Sequence, residues 1–220
     1  MRRTHVLIDL DGTISDSSPG IARSMQYAFA KCGYDPPTDD AVRAIIGPPF
    51  EVSFPILGVP LDAMAPVVAK FRERYDDVGL FENQVYDGVS AMLEALRADG
   101  LTLALATAKP EANARRITDH FGLSGHFAFE AGASTVLGDH RRTKAAVITY
   151  CLSEMGIAAD DRVVMLGDRE HDVEGALANG IDCVGVSWGF GSTEELQHAG
   201  AAAVVDHPVE VLSTIRATEE

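Results

Sequence analysis

Short apolar runs that stop on a polar residue recur along this chain. Val6-Leu7-Ile8 ends at Asp9, Leu101 to Ala106 at Thr107, Val163 to Leu166 at Gly167-Asp168, and Cys183 to Val186 at Ser187-Trp188. Runs of this length, apolar without alternation, predict strands buried on both faces of a parallel sheet. Phe127 to Ala131 and Ala202 to Val205 are weaker runs of the same kind. Between the runs the apolar period becomes that of a helix. Val89, Met92, Leu93 and Leu96 share one face before Gly100, and Pro110 opens a helix through Ile117 and Phe121 that Gly122 closes. Ala145, Ile148, Cys151-Leu152 and Met155 lead to Gly156, and a fourth helix runs from Glu170 to Asn179 before Gly180. Alternating strand and helix predict an α/β fold, a doubly wound, Rossmann-like parallel sheet.

One stretch breaks the alternation. From Asp16 to Val85 only helical patterns occur. Ser18-Pro19 starts one with Ile21, Met25 and Phe29 on a face, Thr38-Asp39-Asp40 starts a second that runs up to Gly47, and Met64 to Tyr75 is a long third. Pro48-Pro49 and Pro60 punctuate them. The expected organisation is therefore a core of residues 1–15 and 86–220 with a helical cap of residues 16–85 inserted after the first strand.

Composition narrows the partners. With 33 acidic residues against 18 basic ones the net charge is −15, which repels nucleic acid, an anionic membrane surface, and any anionic substrate unless a metal ion or local cations invert the field. Cys32, Cys151 and Cys183 lie far apart, so neither a zinc site nor a disulfide framework is expected. Asp9 and Asp11 interrupt the first apolar stretch too early for a signal peptide, and no run approaches a membrane span. A cytoplasmic protein, monomer or homodimer, is expected.

In open α/β sheets ligands gather at the carboxyl ends of the strands, which singles out Asp9, Asp11, Thr107 and Asp168. Any one of them has an ordinary reading as a turn or cap residue. Together they differ. Asp9-Leu10-Asp11-Gly12-Thr13 sets two carboxylates two residues apart, Asp168 adds a third and Asp172 a fourth, and such crowding is costly without a cation. Oxygen-only ligands suit a hard ion such as Mg2+. Thr107 adds a hydroxyl and Lys144 an ammonium at a helix start, a set able to hold one phosphoryl group.

These strings resemble the haloacid dehalogenase superfamily. Asp9-Leu10-Asp11-Gly12-Thr13 looks like its first motif, Thr107 matches the second, Lys144 the third, and Gly167-Asp168-Arg169-Glu170-His171-Asp172 the fourth, in order across almost the whole chain. Ala106-Thr107-Ala108-Lys109-Pro110 and Gly185-Val186-Ser187-Trp188-Gly189-Phe190-Gly191 are similar to the phosphoglycolate phosphatase-like branch. The resemblance implies that Asp9 attacks phosphorus to form an aspartyl-phosphate and that Asp11 protonates the leaving oxygen and then activates water. It implies magnesium held by Asp9, the backbone carbonyl of Asp11, and Asp168. Thr107 would bind a phosphoryl oxygen and Lys144 would neutralise nucleophile and phosphate. Asp172 would lie outside the ligands, orienting Lys144 or a water, or else be a direct ligand.

The third motif here reads Arg141-Arg142-Thr143-Lys144, without the lysine-proline string of many relatives, so Lys109 stands as the fallback cation. Substrate choice is expected in the cap. There the turn Ile46-Gly47-Pro48-Pro49-Phe50 either faces the site or simply breaks a helix, and Arg23 and Arg43 either contact an anionic substrate or form a solvated face. His171 is expected to be exposed and Trp188 to pack. The expected function is a phosphatase acting on a small phosphorylated metabolite such as phosphoglycolate or a nucleoside monophosphate. A sugar phosphomutase or pyrophosphatase on the same core, an inactive phosphate-binding protein and a phosphoacceptor signalling domain are the alternatives.

Overall fold

The computed structural model describes residues 2–47, 49–136 and 139–219. In chain order its elements are β1 (His5–Ile8), β2 (Ser15–Asp16), α1 (Ser18–Cys32), α2 (Asp39–Arg43), α3 (Phe50–Ile56), α4 (Met64–Tyr75), β3 (Gln84–Val85), α5 (Val89–Ala98), β4 (Thr102–Pro110), α6 (Glu111–His120), β5 (Phe129–Ala133), α7 (Lys144–Met155), β6 (Val163–Gly167), α8 (Glu170–Ala178), β7 (Asp182–Val186), α9 (Thr193–Ala199), β8 (Ala203–Val205) and α10 (Val211–Ala217). They divide into two compact units, one of Met1–Ser15 with Val85–Glu220 and one of Asp16–Gln84. β2 and β3 pair with each other where the chain leaves the first unit and returns.

In the first unit, six strands among the described residues form one sheet in the order β5-β4-β1-β6-β7-β8, and every adjacent pair is parallel. Val6, Leu7 and Ile8 are fully buried, because β1 lies between β4 and β6 and is covered on both faces. Leu7 points into a cluster with Val147, Cys151 and Val173 from α7 and α8. Val6 and Ile8 point the other way, since side chains alternate along a strand. The register sets Ile8 opposite Leu105 on one side and Leu166 on the other. The strand order runs outward from β1 through β4 and β5 on one side and through β6, β7 and β8 on the other, the kind of switch point at whose carboxyl end α/β sheets bind ligands.

The structure departs from the sequence pattern in several places. β4 does not end at Ala106; it continues to Pro110 through a register shift after Thr107. Pro110 pairs with Ala133 beyond that shift, and prolines within sheets are confined to such irregularities and to edges. The following helix starts at Glu111 with Pro110 at its cap.

In the second unit α1 packs along α4, and an aromatic group forms its interior, with Phe29 and Phe54 edge to face at 5.9 Å and Phe71 stacked on Tyr75 at 4.9 Å. α2 ends at Arg43 rather than running to Gly47. A separate short helix, α3, follows and carries Pro55 inside it; seven residues with an internal proline leave too little periodicity to be seen in the sequence. Ser18 is the first residue of α1 and Ser17 its cap position, without a side-chain capping bond; the Asp16 carboxylate accepts from the backbone N–H and hydroxyl of Ser18.

Candidate active site

Asp9 extends the ladder one residue beyond β1, its backbone N–H donating to Leu166 O at 3.0 Å. Its side chain is 12% exposed. Asp168 follows β6 and is fully buried. Its carboxylate accepts from the Thr13 hydroxyl at 3.2 Å and from the Phe190 backbone N–H at 2.8 Å. Asp172, in the first turn of α8, is also fully buried. Ligand oxygens of these three aspartates lie within 4.8 Å of one another.

Two ammonium groups serve this acidic centre. Lys144, at the first position of α7, places Nζ 2.6 Å from Asp9 and 2.7 Å from Asp172, and donates to Ala106 O at 3.0 Å. A cation at a helix start opposes the helix dipole, and the two carboxylates offset that. One oxygen of Asp172 is thus taken by Lys144 and the other caps α8, accepting from Arg169 N at 3.1 Å. Lys109, within the irregularity of β4, reaches both oxygens of Asp11 at 2.7 and 3.0 Å. Its backbone N–H donates to the Thr107 hydroxyl at 3.2 Å, and Thr107 is buried beside it.

The electrostatics follow from burial. Burial pushes the Asp9 carboxyl up to about 6 even though Lys144 pulls against it, and the nearby Asp172 adds to the rise. Burial, then Asp172 and Asp9, raise Asp168 well above the carboxylate range. For Lys144 burial disfavours the charge, but Asp172 and Asp9 outweigh it and hold the ammonium above its ordinary value. Four carboxylates face two ammoniums, so two negative charges lack compensation. An oxygen-only donor set with that deficit fits a hard divalent cation. Asp9, Asp168 and Asp172 are the residues whose carboxylate oxygens lie close enough together to hold it.

Glycines make the packing possible. A Cβ on Gly12, whose φ is +85°, would stand 2.1 Å from Asp168 Oδ2, and one on Gly189 would stand 2.4 Å from the Asp168 side chain and from Gly12 O. Gly167 and Gly175 give the same clearance to Asp172 and Lys144. The Gly185-to-Gly191 string was visible in the sequence, but the carboxylate these glycines pack on was not. Nor was the pairing of Lys109 with Asp11, or the donors Thr13 and Phe190. His171 is half-buried rather than exposed, held in the first turn of α8, and burial lowers its pKa. Trp188 donates to Thr13 O at 3.0 Å.

Asp9, Asp11, Thr107, Lys109, Lys144, Asp168 and Asp172 all belong to the first unit, and the distances above bring them together. Arg23, Arg43 and Gly47 belong to the second. Arg23 is exposed and pairs with Glu82 at 2.9 Å; Arg43 reaches Asp16 at 3.5 Å and the Ser18 hydroxyl at 3.2 Å. Gly47 is exposed with φ +123°, and Pro48 lies outside the described residues.

The model of the haloacid dehalogenase-like hydrolases matches residues 6–186. The chain belongs to that family, in the branch of the phosphoglycolate phosphatases, and is a phosphoric monoester hydrolase. It is similar to a 5'-nucleotidase of Pseudomonas aeruginosa, 41% identical over 90% of this chain and 88% of the relative. It is also similar to tyrosine-protein kinase PtkA of Mycobacterium tuberculosis, 39% identical over 90% of this chain and 67% of the relative. A phosphoglycolate phosphatase of Rhodospirillum rubrum is 31% identical over 91% and 86% of the two chains. Among solved structures, that of a predicted phosphatase from Clostridium acetobutylicum superposes with a TM-score of 0.91 at 36% identity, covering 99% of this chain and 100% of that one.

Proposed function

We propose that this chain is a magnesium-dependent, cytoplasmic phosphatase that hydrolyses a small phosphomonoester through an aspartyl-phosphate on Asp9, with residues 16–85 as the cap that selects the substrate. The observation that carries the reading is the charge deficit of the buried acidic centre, two ammoniums against four carboxylates. Asp9 forms a bond to phosphorus as the ester oxygen departs. Asp11 gives that oxygen a proton and later takes one from the water that cleaves the acyl phosphate. Thr107 accepts from Lys109 N–H, which leaves its own proton to donate to a phosphoryl oxygen. Lys144 holds the Asp9 carboxylate in place, and Asp172 holds Lys144. Bound magnesium would reduce the repulsion between the nucleophile and the phosphoryl oxygens.

The 41% identity to a 5'-nucleotidase favours a nucleoside 5'-monophosphate over phosphoglycolate as the substrate. A phosphate-release screen over nucleoside monophosphates, phosphoglycolate, sugar phosphates, pyrophosphate and phosphotyrosine, with magnesium, tests this. Release should be largest from a nucleotide, and should vanish in the Asp9→Asn variant and in chelator while the far-UV spectrum stays unchanged. Substantial turnover by Asp9→Asn, or without metal, would sink the mechanism.

A further inference from the structure

The two lysines of the site divide the work between them. Lys144 is committed to Asp9, Asp172 and the Ala106 carbonyl. Lys109 goes instead to Asp11, meeting both carboxylate oxygens at 2.7 and 3.0 Å. The Lys109 side chain is 5% exposed and that of Asp11 15%, so this is a shielded pair and not a surface ion pair of negligible effect. The backbone that carries Lys109 is itself fixed. It lies within the register shift of β4, between Thr107 and Pro110, and donates from its N–H to the Thr107 hydroxyl. Asp11 sits in the turn between β1 and β2, pinned at its backbone by a bridge to Ser15, but its carboxylate direction is set by what meets it. Contact with both oxygens fixes the plane of the group as well as its place, whereas contact with one would leave it free to turn.

We infer that Lys109 is the positioning residue for Asp11, setting the direction of the carboxylate that serves the leaving oxygen. This rests on the assignment of Asp11 as the acid in the proposed function. Lys109 acts through Asp11, and the same short segment aligns Thr107, so acid and phosphoryl donor are placed together by one irregularity in β4. The third motif's cation and this one are therefore not substitutes for each other.

The test is Lys109→Met, which keeps the length of the buried stem, with Lys109→Gln as a second variant that retains a donor on a shorter one. The kcat/KM is measured for an alkyl phosphate, β-glycerophosphate, and for p-nitrophenyl phosphate, whose leaving group departs without a proton. Because kcat/KM reports the steps up to departure of the leaving group, lost alignment of Asp11 should lower the alkyl value about tenfold to hundredfold and the aryl value by less than about threefold. The Gln variant should fall between. Equal losses on both esters would make Lys109 a phosphate-binding group and overturn the inference, as would no loss on either. A crystal structure of the Met variant decides independently of turnover. The Asp11 carboxylate should leave its present direction; if it stays, the inference is wrong. Inactivity of the wild-type chain on every ester would instead overturn the phosphatase reading, with the crystal structure still deciding the role of Lys109.

Discussion

Replacing Lys144 by methionine should turn the first unit into a protein that needs a divalent cation to be stable. Methionine keeps the unbranched stem that packs on Gly175, so the perturbation is mainly the loss of one charge. The Lys144 side chain is 3% exposed and its partners are 12% and 1% exposed. Three carboxylates with oxygens within 4.8 Å of one another would then share no cation. At an effective dielectric near 20, a like-charged pair at that distance costs about 3.5 kcal/mol, and proton uptake by Asp9 and Asp168 limits the sum. Removing one partner from a buried pair costs about 3–5 kcal/mol, and that is the expected loss in chelator at pH 8. Magnesium should recover much of it, since it takes the place of the missing charge. Its stabilising increment should exceed that of the wild type by at least about 1.4 kcal/mol, equivalent to tenfold tighter binding. Urea unfolding with and without magnesium measures both, followed by the fluorescence of Trp188, the single tryptophan. A variant within about 1 kcal/mol of the wild type in chelator, or equal magnesium increments in the two proteins, would refute the reasoning.

Two further outcomes follow from the packing and from the ion pairs of the second unit. Gly189→Ala forces a methyl group to within 2.4 Å of both Asp168 and the Gly12 carbonyl, and side-chain rotation cannot relieve the second contact. It should cost about 1–3 kcal/mol and weaken magnesium binding about tenfold to hundredfold by calorimetry; unchanged affinity would show that Asp168 does not hold the metal. Arg74 and then Arg23 hold the Glu82 carboxyl below its ordinary 4.5, so the stability this group contributes is present above pH 4.5 and lost as the pH falls through its lower folded value. Glu82→Gln should flatten that acid-side loss in a pH series of thermal melts, and an unaltered slope would assign the loss to other groups.

Much of this site could be read from the chain because its parts are local. Asp9, Thr107 and Asp168 each close a mostly apolar run, and such a run ending in a polar residue is visible without knowledge of its neighbours. The spacing of Asp9 and Asp11, and of Asp168 and Asp172, likewise lies within one turn of chain. What stayed hidden depends on distance in sequence or on small volumes. Lys109 meets Asp11 across 98 residues, and nothing in either segment names the other. Gly189 looks like any loop glycine until Asp168 is placed against it. α3 was lost because Pro55 interrupts it, and the length of β4 because Pro110 reads as a helix start when it also closes a strand.

The place of β1 in the sheet has a consequence for how the chain is made. It is synthesised well before both of its neighbours, since His5 pairs with Thr102 on one side and with Val163 on the other. Residues 16–84 form a contiguous compact unit that is synthesised in the interval. Meanwhile Val6, Leu7 and Ile8 wait with two open hydrogen-bonding edges, a segment prone to pairing with other chains. The strand that ends at Asp9 is therefore exposed to aggregation in newly synthesised protein, and slower synthesis between Val85 and Val163 would lengthen that exposure.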